Sequence, residues 1–211
     1  MTRNINTKKL AVLIFCFILN AYGSPINQID EWTIIKNIQR KNHLSNFQIK
    51  YLDDQKQTFD FQSGTVYWFN EGTSQIISHK PIEHRIWTKD NVLNDYMPEL
   101  NQVILSEISM NRSNLIFEFL IIPEKTLETQ YTLKKSNDHI TLFPKEKSSV
   151  KSIDVYYEKN NQPYRLIFKD MLNYESVLTI EQPVKLDKKQ KYQITISNTA
   201  EVIDNVRHST I

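Results

Sequence analysis

The chain is 211 residues long, with 26 Lys and Arg against 24 Asp and Glu, 40% apolar residues, 11% aromatics, one Cys and three Gly. That is enough apolar mass for one real core, which excludes wholesale disorder, and a single Cys excludes a disulfide framework. Arg3, Lys8 and Lys9 account for the formal charge of +2, which becomes −1 once residues 1–23 are set aside, so no basic surface argues for nucleic acid.

The first segment is laid out as a secretory signal peptide. Its basic residues precede an apolar run, Leu10 to Leu19, and Ala21-Tyr22-Gly23 supplies small residues before a cleavage point near Gly23. A spanning helix needs about 20 apolar residues, and this run is roughly 10–13 long. Cys16 does not fit a lipoprotein modification site, because Phe15 precedes it and more apolar residues follow. The expected organisation is a leader over residues 1–23 and one exported domain over 24–211, free of cysteine and therefore of thiol chemistry and Cys-based zinc sites.

Ser24-Pro25 has the form of an N-cap with Pro at the first helical position, and Ile26, Ile29, Trp32, Ile35 and Ile38 recur at helical spacing, which predicts an amphipathic helix over about 25–41. From Phe47 the period changes to two: Phe47, Ile49 and Tyr51, then Phe59 and Phe61, then Tyr67 and Phe69 alternate with polar residues. Between Pro98 and Met110, Leu100, Val103, Ile104 and Ile108 return to helix-like spacing, which predicts one or two short helices between strand groups. Period two then resumes in Leu115, Phe117, Phe119 and Ile121, in Tyr131 and Leu133, in Ile140 and Leu142, in Ile153 to Tyr157, in Tyr164 to Phe168 and in Tyr192 to Ile196. Asp53-Asp54, Asn70-Glu71-Gly72, Ser136-Asn137-Asp138 and residues 159–163 fall between these runs as turns. The order of helix, strands, helical insert and many strands, with no repeat or linker, predicts one α+β domain built on a strongly curved antiparallel sheet.

Catalytic constellations are missing. His79 and His84 are five apart with Pro81 between them, which breaks the helical spacing of a two-histidine zinc motif. No Gly-rich phosphate loop and no Gly-x-Ser-x-Gly elbow occurs. The acidic pairs Asp53 with Asp54 and Glu124 with Glu128 fall where turns or solvated faces are expected. The expectation is a non-enzyme that needs no cofactor and no metal.

One segment is informative. Gly64-Thr-Val-Tyr-Trp-Phe is followed by a polar turn, by Pro81 and by the run Tyr96-Met97-Pro98-Glu99-Leu100-Asn101-Gln102-Val103. This resembles the periplasmic outer-membrane lipoprotein carriers, the LolA-type family, in which a Gly opens a strand rich in Trp and Leu, a second strand ends at Pro, and Tyr-Asp-Pro-x-Leu-x-Gln-Val follows. Leu142-Phe143-Pro144-Lys145 is similar to the family's Leu-Thr-Pro-Lys strand end, and Asp170 to Ile180 with Asn198 to Asp204 follow its last strands. The chain departs from the pattern at Met97, at Asn70-Glu71, where the family has Arg-Pro, and at Ile76, where it has an aromatic.

The resemblance implies an open, incomplete β-barrel capped by the N-terminal helix and the helical insert as a lid over an apolar cavity for acyl chains. Phe47, Ile49, Tyr67, Phe69 and Ile76 would line it from the first strands. Phe117, Phe119, Tyr131, Leu133 and Leu142 would line it from the later ones. Ile29, Ile104 and Ile108 would belong to the lid, and Asn70 stands at the family's gating position. The implied role is a monomeric periplasmic chaperone that carries acylated lipoproteins from the inner to the outer membrane. Its implied partners are an inner-membrane ABC-type release complex and an outer-membrane lipoprotein receptor. Loss of the family's Arg leaves a second reading, a lipid-sensing or lipid-transfer module of the same fold that does not serve the standard release complex.

Overall fold

The computed structural model describes residues 30–69, 73–89, 92–108, 115–187 and 194–206. All described helices and strands belong to the second of two units, Glu31–Ile211. Alternation sets the architecture: in strand β1 (His43–Leu52), Ser45, Phe47 and Ile49 are buried while Asn46, Gln48 and Lys50 are exposed. Strands β2 (Thr58–Trp68), β3 (Ser74–Lys80), β4 (His84–Lys89), β5 (Val92–Met97) and β6 (Gln102–Glu107) follow. After two helices come β7 (Tyr131–Lys135), β8 (His139–Pro144), β9 (Val150–Tyr157), β10 (Pro163–Asp170), β11 (Glu175–Ile180), β12 (Val184–Lys185) and β13 (Glu201–Asp204).

The strands form one 13-stranded sheet in the order β13-β6-β5-β4-β3-β2-β1-β11-β10-β9-β8-β7, with β12 off that path on β1. Only β13 joins its neighbour in parallel, against β6. The terminal strands β13 and β7 do not pair with each other, so the strongly curved sheet stays open, as the sequence implied. Register puts Phe47, Ile49, Val66, Ile76 and Ile86 on one face with Leu178, Leu166, Val155 and Ile140 of the later strands. This inner face carries the main core.

Among the described residues, three helices accompany the sheet: α1 (Glu31–Lys36), α2 (Leu115–Ile121) and α3 (Glu124–Gln130). Helix α1 buries Ile34 and Ile35 and packs on α3, and α2 packs on β3 and β4. Pro123 separates α2 from α3, because its ring forbids an uninterrupted helix through that point. A smaller cluster lies on the outer face, where Trp87, Tyr96 and Val103 are covered by Ile194, Ile196 and Ala200 of the C-terminal segment.

Three expectations need correction. The helical insert expected at 98–110 is instead a turn followed by β6, with residues 109–114 outside the described ones. Val103 packs on the outer cluster while Ile104 faces the other way, and a strand covered on both faces gives adjacent apolar residues that imitate helical spacing. Conversely, residues 115–121, expected as a strand, form α2. The run Leu-Ile-Phe-Glu-Phe-Leu-Ile is apolar at six of seven positions, so it carries no readable period, and a helix buried on every side looks like this. Finally, residues 194–197, expected as strand, form no strand and pack through side chains instead. Of the helix expected over 25–41, the described part is helical only from Glu31 to Lys36.

At Gly64, the glycine among the described residues, the fold requires the absence of a side chain. A Cβ there would meet the Ile77 carbonyl oxygen, Ser78 Cα at 2.8 Å and Phe47 Cζ at 2.9 Å. Two of these three are backbone atoms that cannot step aside. Gly64→Ala should therefore lower stability by about 1–3 kcal/mol, the usual cost of overpacking. Urea unfolding of the two proteins checks this, with a lowered midpoint expected.

Candidate functional site

The inner face is the candidate site, and α2 occupies it. All seven residues of α2 are buried. Phe117 meets Phe47 of β1 edge to face at 5.9 Å, and Phe119 meets Phe168 of β10 at 5.6 Å and Tyr131 of β7 at 6.4 Å. The helix thus touches strands from both halves of the sheet. Each such edge-to-face pair adds about 0.5–1.5 kcal/mol beyond area burial.

Directed bonds reach carbonyls near the C-terminus of α2, which helix geometry leaves without intrahelical partners. Trp68 Nε1 donates to the Leu120 carbonyl at 2.9 Å. Gln39 Nε2, beyond α1, donates to the carbonyls of Ile122 at 2.6 Å and Phe119 at 3.2 Å. One charged residue breaks the apolar run: Glu118 is fully buried. Burial and, second, the charge of Glu118 push the Tyr131 hydroxyl well above the usual phenol range. That hydroxyl makes no hydrogen bond among the described residues.

Of the residues singled out from the sequence, Phe47, Ile49, Ile76, Phe117, Phe119, Tyr131 and Leu142 meet in the main core, with Leu133 and Ile108 at its margin. Ile104 lies on β6, half-buried. Tyr67 lies elsewhere: it stands opposite Leu44 and Gln75 on the outer face and stacks on Phe69 at 6.2 Å. The reason is parity, since Gly64, Val66 and Trp68 are the β2 residues that register with the inner positions of β1. Ile29 and Asn70 lie outside the described residues. Sequence reasoning missed Gln39, Glu118 and Leu120, and only the isolated Glu within an apolar heptamer could have flagged them.

The polar candidates separate. Asp53 closes its own turn, its Oδ1 accepting from the backbone N–H of Gln55 and Gln57. Glu128 pairs with Lys36 at 3.1 Å. No cluster of three His, Cys, Asp or Glu able to hold a metal occurs among the described residues. An outer-face pocket of about 460 Å³ is lined by Asn46, Phe47, Gln48, Ser63, Gly64, Thr65, His79, Thr179 and Glu181, a wall of mixed polar and apolar character.

No family model and no curated protein sequence matches the chain. Solved structures do. A LolA superfamily protein from Nitrosomonas europaea is 14% identical, with 77% of this chain and 96% of that one covered and a TM-score of 0.48. An uncharacterized conserved protein from Thermus thermophilus is 10% identical, with 82% of this chain and 97% of that one covered and a TM-score of 0.50. MucB is 8% identical, with 85% of this chain and 66% of that one covered and a TM-score of 0.49. The open, strongly curved sheet is the fold shared with the Thermus protein. At such identities the likeness is one of fold alone, and function has to be argued from the site.

A His–carboxylate pair gives the sheet a pH dependence. His84 Nδ1, at the start of β4, lies 2.9 Å from Asp95 Oδ1 on β5. The Asp95 hydrogen bond raises the His84 pKa above its ordinary 6.5, with the nearby charges of Asp95 and Glu99 adding to it. A raised folded value means that the contribution is fully present below about pH 6.5 and is lost as pH rises through the folded value. The melting temperature of the wild type should exceed that of His84→Ala by a margin that shrinks as pH climbs from about 6 to 8. A margin constant across that range in thermal melts would show that the pair contributes nothing.

Proposed function

We propose that this protein is an exported carrier that takes the acyl chains of lipoproteins against the inner face of its sheet when α2 withdraws. The observation that carries the reading is α2 itself, an all-apolar segment save for Glu118 that fills the concave side and is held by bonds from two side chains. Magnitudes favour exchange. Burying the six large apolar side chains of α2 is worth roughly 9–18 kcal/mol, and a sixteen-carbon acyl chain at about 0.8 kcal/mol per methylene is worth about 13. The two occupants are near enough in free energy for one to replace the other. A pocket of this kind binds by area, accepts chains of varied length and gives them up again.

The sequence run Tyr96 to Val103 and the leader support a periplasmic route from an inner-membrane release complex to an outer-membrane receptor. Asn70-Glu71 in place of Arg-Pro favours a second reading, in which the same face senses or transfers free lipid. No helix among the described residues is long and apolar enough to cross a membrane.

Purification from periplasmic extract followed by mass spectrometry separates the readings. Co-purified acylated lipoproteins support the carrier, free lipids alone support the second reading, and neither would sink both. The role of α2 has its own test in two substitutions. Phe117→Ala should cost about 3–5 kcal/mol of stability yet increase uptake of a hydrophobic fluorescent probe several-fold. Gln39→Leu removes the side chain that bonds the carbonyls of Phe119 and Ile122 and should also raise uptake, at a smaller cost of about 1–3 kcal/mol. Stability losses without a rise in uptake would make α2 ordinary core.

A further inference from the structure

The inner face is not uniform. Over β8–β11 its positions are apolar, among them Ile140, Leu142, Val155, Leu166, Leu178 and Ile180. Over β3–β6 they are mixed. Register sets Ser78 opposite His84, Ile86 opposite Asp95, and Asp95 opposite Ile104. Cross-strand partners share a face, as do residues two apart on one strand, so this hydroxyl, imidazole and carboxylate stand on the side that carries Ile76 and Ile86 of the main core.

Exposure rises along this patch toward one end of the strands. Ile76, Ile86 and Ser78 are buried, the side chain of Asp95 is 11% exposed and that of His84 25%. Beyond them Glu99 and Leu100, in the β5–β6 turn, are exposed. The face therefore grades from an apolar interior to a polar, half-exposed rim. His84 Nδ1 lies 2.9 Å from Asp95 Oδ1, which orients the ring, while His84 Nε2 and Asp95 Oδ2 take no partner among the described residues. A face that only had to pack would gain from apolar residues here, as on β8–β11, because a buried ion pair costs about what it returns.

Charge selects the ligand. Asp95 on β5, Glu99 in the following turn and Glu201, which accepts from Gln102 of β6, stand against Lys80 at the exposed end of β3. Arg85 and Glu83 pair with each other, and α2 brings Glu118. Among the described residues, acids thus outnumber bases around His84. The Asp95 hydrogen bond outweighs burial and, with the charges of Asp95 and Glu99, raises the His84 pKa above its ordinary 6.5. Below the folded value the imidazolium offsets Asp95, and above it that offset is lost. An anionic head would meet two or three carboxylates at a partly desolvated site. We infer that this patch is a head-group subsite that holds a cationic, ammonium-type head at the rim while the alkyl tail lies over the apolar half of the face. The inference rests on the withdrawal of α2 proposed above and adds to it the orientation of the ligand and the chemistry of its head.

The test is displacement of a hydrophobic fluorescent probe from the full chain by an alkylammonium and an alkyl sulfate of equal tail, both below micelle formation. At about pH 8.5 the wild type should favour the ammonium about ten-fold, and the preference should shrink several-fold at about pH 5.5, where His84 is protonated. Asp95→Asn should bring the two amphiphiles close to parity. His84→Ala should keep the preference and remove its pH dependence. Asp138→Asn takes the same charge from the outer-face pair that Asp138 makes with His139 at 2.8 Å, and it should behave as wild type. Circular dichroism confirms that each variant is folded. Equal displacement by the two amphiphiles in the wild type overturns the subsite alone, because it still shows a bound tail. A preference that survives Asp95→Asn overturns it too. Displacement by neither overturns the subsite together with the carrier reading. A free long-chain amine and an acylated peptide with a free amine present the same head, and the stronger competitor in this assay identifies its source.

Discussion

An open curved sheet has an apolar hollow that its own strands cannot close, and every other feature of this protein follows from how that hollow is covered. The path from β13 to β7 ends in two strands that do not meet. Inner-facing residues of eight or more strands would then be wet, at a cost of about 25 cal/mol for each Å². Cover has to come from the chain, and it comes from α2, supported by α1 and α3. Because all seven residues of α2 are buried, it has no solvated stripe, which is why its sequence is apolar at six of seven positions.

What covers the hollow is chemically similar to what a carrier would put there. The bonds from Trp68 and Gln39 secure carbonyls close to the end of α2, while Leu115 to Phe117 pack through apolar and ring contacts of the kind an acyl chain could make. On the carrier reading, ordinary packing and ligand exchange use the same side chains.

Strand positions were largely legible from residues alone, because one-sided burial writes itself as alternation: Phe47 to Tyr51 and Ile153 to Tyr157 are direct cases. Legibility failed where both faces are covered. Val103 packs in the outer cluster while Ile104 faces the other way, so β6 carries the spacing of a helix, and α2 shows no period because all seven of its residues are buried. Tyr67 was misassigned because aromatic residues on β2 occupy both parities, with Trp68 inside and Tyr67 outside, and only the register with β1 tells them apart. Residue type could indicate an apolar interior, but the identity of its occupant depended on contacts between Phe117 and Phe47, 70 positions apart in the chain.

The parallel addition of β13 to β6 has a consequence for synthesis. Gln102 and Glu201 bond across a separation of 99 positions, and the same distal segment shields Trp87 and Tyr96. The edge laid down at residues 102–107 thus waits for residues 99 positions further along the chain before it is sealed. Closing so long a loop is slow relative to local hairpins. Until it happens, the unsealed border invites pairing with any neighbouring nascent chain. A helper that shelters this border until residues 201–204 arrive would have a defined place to act.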